Sequence, residues 1–104
     1  MKQIVAVVKP FLAEKLIATA AGLEVEEISI REVKGYGRQK NYLDRYGDNE
    51  YSLAFVPKVE ISVWVDDRYL EEVLDQMAKT ARTGRLGDGK IFVMPVMESI
   101  SLQP

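Results

Sequence analysis

The chain has 104 residues, 47% hydrophobic and 29% charged, with a net charge of −2 and a pI near 5.2; this suits one soluble globular domain, 1–104, with no room for a second. Histidine and cysteine are both absent, which removes disulfides, thiolate nucleophiles, zinc sites built on those side chains, and the usual general base near neutral pH. The acidic balance also argues against a nucleic-acid partner or a polybasic membrane binder.

The first predicted element is a buried strand over 4–8, an apolar run between lysines rich in β-branched residues. Pro10 then opens a helix where its missing N–H costs nothing. Leu12, Leu16, Ile17 and Ala20 make the inward stripe, and Gly22 is the expected stop. From Val25 the pattern alternates through Ile28, Ile30 and Val33, a strand with a bulge expected near Glu26 and Glu27. Residues 35–49 are polar and glycine-punctuated with no apolar period; a loop this long is functional or disordered.

A long third strand is predicted over 51–65, with Pro57 marking an edge or bulge in its early part. Val59, Ile61, Val63 and Val65 share one face; Glu60, Ser62 and Trp64 share the other. Asp66 and Asp67 suit a helix N-terminus. Leu70, Val73, Leu74, Met77 and Ala81 follow at helical spacing, and Gly84 is the predicted end. A glycine turn at Gly87, Asp88 and Gly89 leads into a last strand over 90–96. The order β-α-β-β-α-β predicts an α+β, ferredoxin-like βαββαβ domain, a four-stranded antiparallel sheet with both helices on one face. Trp64 on the opposite face suggests that this face is covered by self-association.

Three segments carry candidate chemistry. In 83–90, glycines with Arg85 and Lys90 suit a phosphate cradle, while a plain Asp-Gly turn into a strand is the structural alternative. It is not a Walker A motif, because the spacing and the Gly-Lys-Ser/Thr ending are missing. Lys34-Gly35-Tyr36-Gly37-Arg38-Gln39-Lys40 is a second anion-friendly turn. Its first half fits an RNA-recognition signature, but Arg38-Gln39-Lys40-Asn41 replaces the aromatic, apolar second half. Finally, Tyr36, Tyr42, Tyr46 and Tyr51 concentrate in or beside the long loop, either for partner recognition or packed back onto the domain.

Val8-Lys9-Pro10-Phe11, the run from Glu32 to Lys40, Pro57-Lys58-Val59, and the run from Thr83 to Val93 together resemble the PII signal-transduction family. The match is colinear and gap-free, and Thr-x-x-x-Gly-Asp-Gly-Lys-Ile-Phe-Val is its most specific part. The resemblance implies a homotrimer with adenine nucleotides in intersubunit clefts, and a T-loop, here 36–54, that docks onto a target protein, a transporter or an enzyme. It assigns nucleotide contacts to Ser29, Gly35, Gly37, Arg38, Gln39, Trp64, Gly87, Asp88, Gly89 and Lys90. Ser29 stands where the family has a threonine, and Trp64 where it has a small aliphatic. Family members that use ATP carry two arginines after the last strand; Ser101 and Gln103 occupy those positions here. Each missing arginine removes a charge-assisted phosphate contact of about 1.5–3 kcal/mol, so ADP or AMP is expected to be favoured, ATP weaker, and Mg required only if ATP binds.

The resemblance also places 2-oxoglutarate near Gln39 and Lys58, bridged through Mg and ATP, a site left with a poor nucleotide half. Tyr51 is at the position modified by uridylylation in enteric-type members, but Tyr46-Gly47-Asp48 departs from the expected context. The altered nucleotide end suggests a branch serving inorganic-carbon metabolism, with bicarbonate as a small-anion ligand near Arg38, Gln39, Lys40 and Lys58. The alternatives are nitrogen regulation through ATP and 2-oxoglutarate, a metal-efflux-linked variant, or a slow ATPase. No catalytic residue and no metal site is expected, and the protein is not expected to be an enzyme. With no apolar run of about 18 residues and an early-charged N-terminus, the expected location is cytoplasmic, without membrane insertion.

Overall fold

The computed structural model describes residues 1–35, 56–85 and 89–103. Its elements are β1 (Lys2–Val8), α1 (Pro10–Ala21), β2 (Glu27–Gly35), β3 (Val56–Val65), a single 3-10 turn (Asp67–Tyr69), α2 (Leu70–Ala81) and β4 (Gly89–Pro95). The strands pair antiparallel in the order β2-β3-β1-β4. This is the α+β, ferredoxin-like arrangement predicted from the element order, with β2 and β4 as the outer strands among the described residues.

The core lies between the helices and one sheet face. Ile4, Ala6 and Val8 of β1 and Val59, Ile61, Val63 and Val65 of β3 are buried there. They meet Leu12, Leu16 and Ala20 of α1 and Val73, Met77 and Ala81 of α2. Ile17, Leu70 and Leu74 are only partly buried at its margin. Burying a side chain such as Leu16 or Ile61 contributes roughly 1.5–3 kcal/mol, so this layer supplies most of the domain's stability. Between the helices, the hydroxyls of Thr19 and Thr80 sit 3.0 Å apart. Thr19 also donates to the Lys15 carbonyl at 3.1 Å, one turn earlier in α1.

Element boundaries differ from the sequence expectations where long-range pairing decides them. β2 begins at Glu27 rather than Val25: the Val25 N–H turns back to the Leu23 carbonyl, and Glu26 donates to the Trp64 carbonyl at 2.7 Å. From Glu27 on, the pairing with β3 is continuous; Glu26 and Glu27 both address Trp64, two residues opposite one, so the irregularity expected at the two glutamates falls at the start of the ladder. β3 starts at Val56; the predicted residues 51–55 lie outside the described residues. Pro57 pairs with Lys34 of β2, but β1 reaches only as far as Val59. Pro57 is thus on a local edge, where a missing donor is tolerated.

α2 ends at Ala81, three residues before Gly84. Asp66 accepts a hydrogen bond from the Arg68 N–H at 3.0 Å and caps the 3-10 turn that leads into the helix.

Candidate functional site

Register shows which side chains share the sheet face without helices, because residues directly opposite in a ladder point the same way. One row runs Phe92, Val5, Ser62, Ser29; the next runs Lys90, Val7, Glu60, Arg31; a third runs Met94, Gln3, Trp64, Glu27. Ser62 is buried, Trp64 is half-buried, and Phe92 is half exposed. Arg31 donates from Nη2 at 2.7 Å and from Nε at 3.0 Å to Glu60 Oε2. The alternation alone did not reveal that pair. Its signal was there in opposite charges on outward positions of neighbouring strands, but only the register makes them partners.

Two of the expected nucleotide residues, Ser29 and Trp64, lie at the β2–β3 side of this face. Gly89 and Lys90 lie on β4, at the opposite edge. Ser29 and the β4 edge are separated by three strand spacings, about 14 Å. The structure therefore does not gather the described members of the set at one point of one chain.

Gly89 has φ +118, and a Cβ there would stand 2.1 Å from the Val7 carbonyl oxygen. Only glycine fits this close approach, which brings the backbone entering β4 against β1. Lys90, the next residue, is exposed.

Gly35 closes β2 beside Lys58. A Cβ on Gly35 would be 3.3 Å from Lys58 Cγ, and Lys58 is only 8% exposed. A hollow of about 550 Å³ opens here, lined by Pro10, Glu32, Val33, Lys34, Pro57, Lys58 and Val59. It sits at the root of residues 36–55. Gly37, Arg38, Gln39, Lys40 and Tyr51, like Gly87 and Asp88, lie outside the described residues.

A second hollow of about 330 Å³ lies between α2 and β4, with Leu74, Ala78, Arg82 and Ile91 among its walls. Beyond β4, the Val96 N–H donates to the Met1 carbonyl at 3.2 Å. The chain then continues exposed through Ser101 and Gln103, whose N–H donates to Ser101 Oγ at 3.3 Å.

At the far end of β1, Asp67 accepts from the Met1 ammonium at 2.9 Å and from Lys2 Nζ at 3.0 Å. Hydrogen bonds from these two cations, the terminal ammonium first, hold its carboxyl below the ordinary value of 3.8. Among the described residues, no group of three or more potential ligands is placed to hold a metal ion. Nor is any helix long and apolar enough to cross a membrane.

The fold and the open, mixed-polarity face define a small ferredoxin-like α+β domain. The family model described as nitrogen regulatory protein P-II matches residues 1–104. The chain is 40% identical to the nitrogen regulatory protein GlnK of Escherichia coli K12 over 103 residues, covering 99% of this chain and 92% of that one. It is 39% identical to the P-II protein of Azospirillum brasilense and 35% to that of Nostoc punctiforme, over the same shares. The chain belongs to the P-II family of signalling regulators.

Proposed function

We propose that this chain is a P-II regulator that binds an adenine nucleotide, ADP or AMP in preference to ATP, in clefts between subunits. In this reading it passes the occupancy to a partner protein through residues 36–54. The observation that carries it is the split of the open face. Ser29 on the edge strand β2 and Trp64 on its neighbour β3 stand at one side, Gly89 and Lys90 on β4 at the other. A closed ring of copies, each laying its β2 edge against the next one's β4 edge, joins the two halves into one cleft. Trp64 supplies a flat apolar surface for a base and Ser29 a hydroxyl. Gly89 lets backbone come close to a phosphate, and Lys90 brings the charge. The described residues thus fit a nucleotide chemically, with Gly35, Gly37, Arg38, Gln39, Gly87 and Asp88 as the proposed remainder of the site.

Ser101 and Gln103 offer only neutral hydrogen bonds to outer phosphates, which supports the preference for ADP or AMP. Magnesium enters only with ATP. The relatives are named as nitrogen regulatory proteins, which favours nitrogen signalling over the inorganic-carbon role expected from the altered nucleotide end. Lys58, a nearly buried residue that lines the 550 Å³ hollow, is the feature that keeps a small carboxylate or bicarbonate in view, together with Arg38, Gln39 and Lys40.

Calorimetric titration with AMP, ADP and MgATP, each with and without 2-oxoglutarate and bicarbonate, tests the reading. ADP or AMP binding more tightly than MgATP is the expected outcome. Tight MgATP binding strengthened by 2-oxoglutarate would overturn the nucleotide preference, and a bicarbonate effect would return the protein to carbon metabolism.

A further inference from the structure

The open face of the sheet holds two carboxylates among the described residues, Glu27 and Glu60, and they differ in what they touch. Glu60 takes both Arg31 contacts on one oxygen, Oε2. Glu27, exposed at the start of β2, makes no ion pair or side-chain hydrogen bond among the described residues. It stands directly opposite Trp64 in the ladder. The two side chains therefore leave the sheet side by side, with their Cβ atoms about 5 Å apart. Trp64 is half-buried, and it is the one tryptophan of the chain.

The chemistry along the open side of β2 has a direction. Arg31, Ser29 and Glu27 share that side, a cation, a hydroxyl and a carboxylate spread over about 13 Å of strand. A nucleotide laid along it has the matching order of phosphate, sugar and base. The base then rests on Trp64, and its far edge meets Glu27. A carboxylate only accepts hydrogen bonds, so it favours a base edge that donates. Guanine presents two adjacent donors on that edge, N1–H and the 2-amino group, one for each carboxylate oxygen. Adenine presents one, the 6-amino group, beside N1, an acceptor whose lone pair faces the second oxygen.

We propose that the nucleotide site admits guanine nucleotides alongside adenine ones, with Glu27 reading the N1–H and 2-amino edge of a guanine stacked on Trp64. This rests on the nucleotide site proposed above and widens its ligand class to purine nucleotides. The phosphate contacts assigned there to Gly89 and Lys90 are common to both ligands, so the base end decides between them. Glu27 is then the residue that sets the preference, because its two oxygens form a charge-assisted pair of bonds with guanine and a single bond with adenine.

The chain is titrated with ADP, GDP and IDP, with calorimetry for affinity and the emission of Trp64 for stacking. GDP is expected to bind within about threefold of ADP or more tightly, and both are expected to quench Trp64. IDP keeps N1–H but lacks the 2-amino group, and should bind more weakly than GDP. Glu27→Gln changes one exposed side chain and should keep the urea midpoint. Its amide offers one donor and one acceptor, the pair that adenine matches. GDP is expected to weaken about tenfold or more, while ADP holds or tightens and the gap between GDP and IDP closes. In the unsubstituted chain, GDP weaker than ADP by more than about threefold overturns the inference and leaves the nucleotide site standing; so does a variant that shifts ADP and GDP equally or shifts neither. Binding that leaves Trp64 emission unchanged overturns the stacking and, with it, the role of Glu27. No binding of any of the three overturns the nucleotide site itself and this inference together.

Discussion

The two faces of the sheet are made from the same strands and alternate residue by residue, yet they do different work. On β3, Val59, Ile61, Val63 and Val65 are buried against the helices, while the interleaved Lys58, Glu60, Ser62 and Trp64 form a polar and aromatic surface. The first face is uniform in chemistry and needs only shape. The second mixes an ion pair, hydroxyls, an indole and cations, and its chemistry suits contacts made beyond the single chain. On the function proposed above, stability and recognition are divided by the pleat, and a substitution one residue along the chain changes which of the two is affected.

The largest effect is expected from Ile61→Ala. The side chain is fully buried, so its removal leaves a cavity and costs about 2–5 kcal/mol, read as a lower urea midpoint at unchanged slope. The neighbouring Ser62→Ala on the open face is expected to cost about 1 kcal/mol or less. Equal losses at the two positions would break the comparison. Gly89→Ala follows, because a side chain there combines positive φ with a collision at the Val7 carbonyl. About 3 kcal/mol is expected from the strained backbone, and in the same unfolding experiment β4 is the element that loosens.

Open-face substitutions should move binding rather than folding. Lys90→Gln changes an exposed side chain and is expected to leave the urea midpoint in place. It should weaken ADP by about tenfold to a hundredfold, the worth of one charge-assisted phosphate contact of about 1.5–3 kcal/mol. The converse change, Ser101→Arg with Gln103→Arg, is expected to raise MgATP affinity by about tenfold or more relative to ADP in the same calorimeter. If both nucleotides gain equally, these positions do not face the outer phosphates.

Much of this division could be read from the sequence. The period-two pattern of 59–65 identified both faces of β3, and the helical stripes at Leu12, Leu16 and Ala20 and at Val73, Met77 and Ala81 identified the core side of each helix. The elements fail to match at their ends, where the deciding contact is distant in sequence. Val25 looks like a strand residue, yet its N–H has a local partner and the ladder begins only where Trp64 is reached. Gly84, at φ +83, suits a turn, but α2 has already ended.

The same limit applies to the site. A glycine turn before the last strand was visible, but the 2.1 Å approach that makes Gly89 obligatory depends on β1 lying beside β4. The Arg31–Glu60 pair joins residues 29 positions apart, and no local period could match them. Composition and alternation give the faces; only strand order shows that Ser29 and Lys90 stand at opposite edges.

The smallest effect sharpens the comparison from outside both faces. Asp67 ties the start of β1 to the turn before α2, through the Met1 ammonium and Lys2, and its carboxyl is held below its ordinary pKa by those cations. A depressed folded pKa means that the contribution is fully present above the unfolded value near 3.8 and is lost as pH falls through the lower folded value. Asp67→Asn should therefore change the urea midpoint slightly at neutral pH and not at all once both forms are protonated, so that the two stability curves converge in acid. The carboxylate is exposed, and exposed ion pairs are weak and screened by salt. The gap between the curves should accordingly narrow at high ionic strength, whereas the deficit of Ile61→Ala, which is apolar in origin, should persist across the same pH and salt range.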